Sequence, residues 1–159
     1  MSDVLENGYV FTRDDLPRLL ALPYYPEHAR AESAVVKEFL TAHGTDYDQF
    51  AFSVRVGQGA IPDPTHSPGI QKATLWSFRK RIDLIAFQGR LATIIEVKLR
   101  VTPTVLGQSV AYRHLWLEDH PDAREPRLVV LGTYSDTDTL RVLSAQGVDV
   151  YIYALPQAP

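Results

Sequence analysis

The stretch RIDLIAFQGRLATIIEVKLRV, Arg81 to Val101, constrains the fold more than any other part of the chain. Two apolar runs, Leu75 to Phe87 and Leu91 to Val101, flank a Gln-Gly-Arg-Leu turn and read as a β-hairpin. Runs this rich in Ile, Leu and Val belong to strands covered on both faces, so the hairpin requires a sheet with helices packed against it. Three residues do not suit such a place: Asp83, Glu96 and Lys98. Charged side chains are almost never fully buried without a partner.

The turn has two readings. With Gly89–Arg90 as the loop, glycine stands first, the type II′ pattern, and Asp83 falls opposite Glu96. With Gln88–Gly89 as the loop, Asp83 faces Ile94 and Glu96 is its diagonal neighbour. Strand parity is the same in both, so the two acids and Lys98 share one face while Val97 points into the core. Like charges facing each other across a sheet are destabilising, and Ile82, Leu84, Ile85, Ile94 and Ile95 keep water from relieving the repulsion. Either one carboxyl is protonated or a cation lies between them. A hard divalent ion such as Mg²⁺ suits two carboxylates and water.

The remainder supplies the helices and the other strands. A short helix is expected within TRDDLPRLLALPYY, and a longer one over PEHARAESAVVKEFLTAHG, opening at Pro26–Glu27 and closing at Gly44. DQFAFSVRVG reads as the first strand, and the Gly- and Pro-rich residues 57–73 as a long loop. After the hairpin come a helix over TPTVLGQSVAYRHLWLEDHP, capped by Thr102 or Thr104, and the strand RLVVLGTY. A capped helix ending at Gly147 and a last strand, VDVYIYAL, follow. The final β-α-β unit implies parallel strands. The expected class is α/β, an α+β mixed sheet with helices on both faces.

The 159 residues fit one domain, with residues 1–25 as an N-terminal extension and 26–159 as the domain proper. The chain has no cysteine, which excludes disulfides, cysteine zinc sites and thiolate catalysis. With an acidic start and no apolar run of membrane-spanning length, it reads as a soluble cytoplasmic protein without a membrane partner. Net charge is −3, against a passive basic coat on nucleic acid. The distribution matters more: residues 51–114 hold nine Lys and Arg against three Asp and Glu, while both flanking segments are acidic. The odd strands lie in the basic segment, and a positive field around a few carboxylates suits a polyanion and a metal.

Two further features bear on this site. Glu32 falls on the helical stripe of Val35, Val36, Phe39 and Leu40, while Lys37 and Glu38 point to solvent. Gln108 and Tyr112 stand four apart on the helix that follows Lys98. His66, His114 and His120 have no partner at catalytic spacing and read as surface or packing residues.

Glu32, Asp83 in RIDLIAF, Glu96-Val97-Lys98 and the Gln108–Tyr112 pair together resemble the PD-(D/E)XK nuclease superfamily, in its RecB-like or resolvase-like branches. The order of elements also resembles that family's α-β-β-β-α-β, restriction-endonuclease-like core. The resemblance covers roughly residues 26–155, and Ile82 stands where the family's name has proline. It implies a metal-dependent endonuclease hydrolysing DNA, with RNA left open. Asp83, Glu96, the Val97 carbonyl and Glu32 would hold one or two Mg²⁺ or Mn²⁺ ions. Lys98 would orient the attacking water or stabilise the phosphate. Gln108 and Tyr112 would position the strand, and Arg113, Arg55, Arg79, Lys80 and Arg81 would neutralise phosphates. The alternative is a catalytically inactive nucleic-acid-binding or structural module on the same fold. Cutting both strands with one site per chain would require a homodimer.

Overall fold

The apolar runs assemble into one six-stranded sheet in the computed structural model, which describes residues 8–155. The strands are β1 (Tyr9–Thr12), β2 (Gln49–Val56), β3 (Lys80–Gln88), β4 (Leu91–Val97), β5 (Arg127–Gly132) and β6 (Val148–Ile152), lying side by side in chain order. β1 to β4 run antiparallel, and β4, β5 and β6 are parallel through helical crossovers. The helices are α1 (Leu16–Ala21), α2 (Arg30–His43), α3 (Pro68–Phe78), α4 (Thr104–Asp119) and α5 (Thr137–Ala145). The order α2, β2, β3, β4, α4, β5 is the expected α-β-β-β-α-β core. Among the described residues no helix is long and apolar enough to cross a membrane.

Two cores sandwich the sheet. On one side Leu16 and Leu19 of α1 and Val35, Val36, Phe39 and Leu40 of α2 cover Phe50, Phe52, Leu84, Ile95 and Val97. On the other, Val105, Tyr112 and Trp116 of α4 cover Val54, Ile82, Ile85, Ile94 and Val130. The central strands are therefore apolar on both faces, and their charged residues stand out for the reason given by the sequence.

The hairpin turn is Gly89–Arg90, since Gln88 pairs with Leu91. Gly89 has φ +57, a conformation glycine adopts without strain, and its N–H donates to Asp48 at 2.7 Å. Four expectations shift. Residues 9–12 form an edge strand on β2, and Leu16 and Leu19 enter the same core as residues 26–155, so this part of the N-terminal segment is built into the fold. Residues 1–7 and 156–159 of the expected divisions lie outside the described residues. Helix α2 begins at Arg30 rather than Pro26, because Glu27 takes φ +58 and breaks any earlier turn. Residues 75–78, expected in a strand, are the end of α3, which Ser67 and Pro68 start within the expected loop. The second strand stops at Val97, so Lys98 stands just beyond it, its N–H donating to the Leu131 carbonyl at 2.8 Å.

Candidate active site

The register from Gln88–Leu91 to Leu84–Ile95, continued by one residue, sets Asp83 opposite Glu96. The regular ladder ends there. The Val97 N–H donates to the Asp83 carboxylate at 2.9 Å, so a side chain replaces a strand partner. β2 is irregular at the same level. It pairs with β3 at Phe52–Leu84 and Val54–Ile82, but Ser53, facing Asp83, is left out and has φ +57. Phe50 and Phe52 precede it in the α2-side core, and Val54 and Val56 follow it in the α4-side core. Both strands thus change face at Ser53 and Asp83, and simple alternation does not pass through this point. A non-glycine residue in the left-handed region costs about 1–3 kcal/mol and concentrates at functional sites. Ser53 is the residue that sequence reasoning missed; its only sequence signal is a serine within an aromatic strand.

Glu96 is buried, with its side chain 3% exposed. One carboxylate oxygen, Oε1, meets Lys98 Nζ at 2.9 Å, while Oε2 is buried without a hydrogen-bond partner. Burial first, then the negative charge of Asp83, push its pKa up to about 7 against the pull of Lys98. For Lys98, burial acts against the ammonium. The hydrogen bond and charge of Glu96, then Asp83 and Glu32, outweigh it and hold the pKa above the usual lysine value. An isolated ion pair would lower the acid and raise the base. Only the lysine behaves so, because burial of the Glu96 carboxylate, and then the charge of Asp83, outweigh the pull of Lys98 on the acid.

This trio lies in an open cavity of about 420 Å³ whose lining also includes Gln108, Tyr112, Arg55, Arg79, Lys80 and Arg81. Four strands and helices therefore bring together most of the residues singled out from the sequence. Burial, then the charges of Glu96 and Asp83, raise the Tyr112 pKa, and Gln108 beside its hydroxyl opposes them. The cations differ in their freedom. Arg79 donates to the Gly57 and Arg55 carbonyls at 2.6 and 3.1 Å and lies 3.5 Å from Asp119. Arg55 donates to the Arg79 carbonyl at 3.3 Å, and Arg81 pairs with Glu27. Lys80 is exposed to solvent.

Three of the expected residues do not line the cavity. Glu32 is half-buried near the start of α2, and its Oε2 accepts from Ala29 N at 2.9 Å; it reaches the site through its charge, felt at Lys98. Arg113 pairs with Glu125 at 3.3 Å. The Val97 side chain enters the α2-side core, as its parity requires. None of the three histidines lines the cavity with Asp83 and Glu96: His120 lies against Trp116 at 3.9 Å between ring centres, His114 meets Glu118 at 3.2 Å, and His66 is exposed.

A divalent ion is compatible with this donor set. Two hard carboxylates lie opposite each other at the end of the ladder, and one buried oxygen of Glu96 lacks any partner. Among the described residues no group of three or more Asp, Glu or His is gathered closely enough to hold an ion alone, so carbonyl or water oxygens must complete the shell.

No family model matches the sequence, and no curated protein matches it. Among solved structures, a repair endonuclease from Pyrococcus abyssi is similar at TM-score 0.47 and 11% identity, over 83% of this chain and 50% of that one. A protein of unknown function is similar at TM-score 0.45 and 17% identity, over 77% of this chain and 56% of that one. The chain spans about half the length of either, and the site stands on its own geometry.

Proposed function

We propose that the protein is a metal-dependent nuclease that hydrolyses phosphodiester bonds, with DNA as the substrate. The observation that carries this reading is the Asp83–Glu96 pair: two carboxylates opposite each other at the end of the β3–β4 ladder, one oxygen buried and unpartnered, in a cavity also lined by arginine and lysine. A fold keeps such repulsion at a cost, and a bound cation relieves it. Asp83 and Glu96 would hold Mg²⁺ or Mn²⁺, with the Val97 carbonyl and water completing the shell and Glu32 acting through water. Bound there, such an ion supplies a Lewis acid for the phosphoryl oxygen and acidifies a water molecule.

The chain's own residues do the remainder. Lys98, whose ammonium lies 2.9 Å from Glu96, would turn to donate to the phosphate as negative charge builds on it. Its side chain is 41% exposed, which leaves room for the movement. Gln108 and Tyr112, with polar ends beside the acids, fix the strand by hydrogen bonds. Lys80 meets the phosphate backbone, and Arg81 joins it by exchanging Glu27 for a phosphate.

A catalytically idle nucleic-acid-binding module is the second reading. It is supported by the Lys98–Glu96 contact, which already neutralises one carboxylate. Labelled DNA and RNA substrates incubated with Mg²⁺ or Mn²⁺ separate the two. The proposal expects cut products only with the ion and none from Asp83→Asn. Salt-sensitive binding with no product under any ion favours the idle module.

A further inference from the structure

Helix α3 is held in an unusual way. It contributes no buried side chain, and Ile70, Trp76 and Phe78 are 52%, 43% and 62% exposed. A helix normally forms because it buries an apolar stripe. Gln71 ties its first turn to the preceding loop through the His66 carbonyl at 2.6 Å, and its C-terminal end is fixed to the sheet and α4. Arg79 donates to the Gly57 and Arg55 carbonyls and lies 3.5 Å from Asp119 of α4. Gly59, with φ +81, approaches so closely that a Cβ there would come within 2.2 Å of the Leu75 carbonyl oxygen. The guanidinium carbons of Arg55 and Arg79 lie 5.8 and 5.9 Å from the Trp76 ring centre. The aromatic end is therefore rigidly placed yet left uncovered.

Its place explains this. Phe78 lines the same cavity as Asp83, Glu96 and Lys98, and Trp76 lines the adjoining one with Lys72. Lys72 and Lys80 are exposed and have no acidic partner among the described residues. Apolar rings beside free cations match a ligand with alternating flat faces and phosphates. The geometry points to α3 as a base-stacking platform. Phe78 stacks on an unpaired base next to the phosphate held at the acids, so the site takes a single strand in preference to intact duplex. A duplex keeps its base faces covered and has nothing to offer Phe78.

This inference rests on the nuclease reading for the position of the phosphate, but its test does not. Fluorescence anisotropy in chelator, with the full chain, compares labelled oligothymidine with a blunt duplex of equal length. The protein should bind the single strand at least about tenfold more tightly. Phe78→Ala should lose most of that preference, and Phe78→Trp should retain it. Equal affinity for the two probes, or Phe78→Ala binding oligothymidine like wild type, overturns the proposal. So does self-association that Phe78→Ala abolishes in a protein that binds neither probe, which would make α3 a contact between copies. Strand preference without cutting in Mg²⁺ would defeat the nuclease reading alone. Cutting of strand and duplex alike would defeat this inference alone.

Discussion

At the scale of residues, the site turns on one imbalance: two carboxylates, one of them buried, against one half-exposed ammonium. The Glu96 pKa lies near 7, above its ordinary 4.5. The folded protein therefore holds a proton that the unfolded chain has released between those values. The resulting stability is complete below about 4.5 and is lost as pH rises through about 7. Asp15, Asp63 and Asp136, whose pKa values are lowered, act in the opposite sense and only below their ordinary 3.8. In chelator, then, the melting temperature should fall between pH 5 and pH 8, and Glu96→Gln should flatten that fall. A melting temperature that rises over this interval in wild type contradicts the assignment. Lys98 should separate binding from chemistry. A protonated lysine has no lone pair for a metal, so Lys98→Ala should bind Mn²⁺ at least as well as wild type. It should cut roughly a hundredfold more slowly or worse in single turnover, the usual scale for losing one donor to a developing charge. Near wild-type cutting would reduce Lys98 to a salt-bridge partner.

At the scale of elements, legibility followed periodicity. The hairpin, the two-sided burial of β3 to β5 and the parallel β4-β5-β6 unit were readable because long apolar runs leave few alternatives. Glu96, Lys98, Gln108 and Tyr112 could be placed together because strand and helix spacing fixes which face each shares. Asp83 reached the same cavity by a route that alternation does not describe, since Ser53 and Asp83 turn both strands over at that level. Backbone inversion of this kind leaves no mark in hydropathy. Residues 75–78 read as a strand because Leu75, Trp76 and Phe78 favour one, but Ser67–Pro68 begins a helix that ends in them. β1 went unseen because a four-residue edge strand with three exposed positions has no pattern to detect. Ser33 is the residue that goes inside, and its neighbour Glu32, expected on the buried stripe, is half-buried. What spacing could not convey is that its carboxylate turns back to cap its own helix.

At the scale of the molecule, charge and architecture agree. The sheet's basic middle segment carries the cavity, and the acidic segments on either side leave a net charge of −3. Five of the nine cations of that segment, Arg55, Arg79, Lys80, Arg81 and Lys98, line the cavity, and the proposed attraction for a polyanion there should weaken as salt rises. The fold concentrates its departures from regularity there as well: the inverted Ser53, the Asp83 side chain in the ladder, the unpartnered Glu96 oxygen and the uncovered α3. The nuclease reading stands or falls on whether the Asp83–Glu96 pair takes up a divalent cation. Isothermal titration of Mn²⁺ into the metal-free protein at pH 8 tests it most directly. Saturable uptake by wild type, lost in both Asp83→Asn and Glu96→Gln, is the predicted result; no uptake by wild type, or uptake unchanged in both variants, would contradict it.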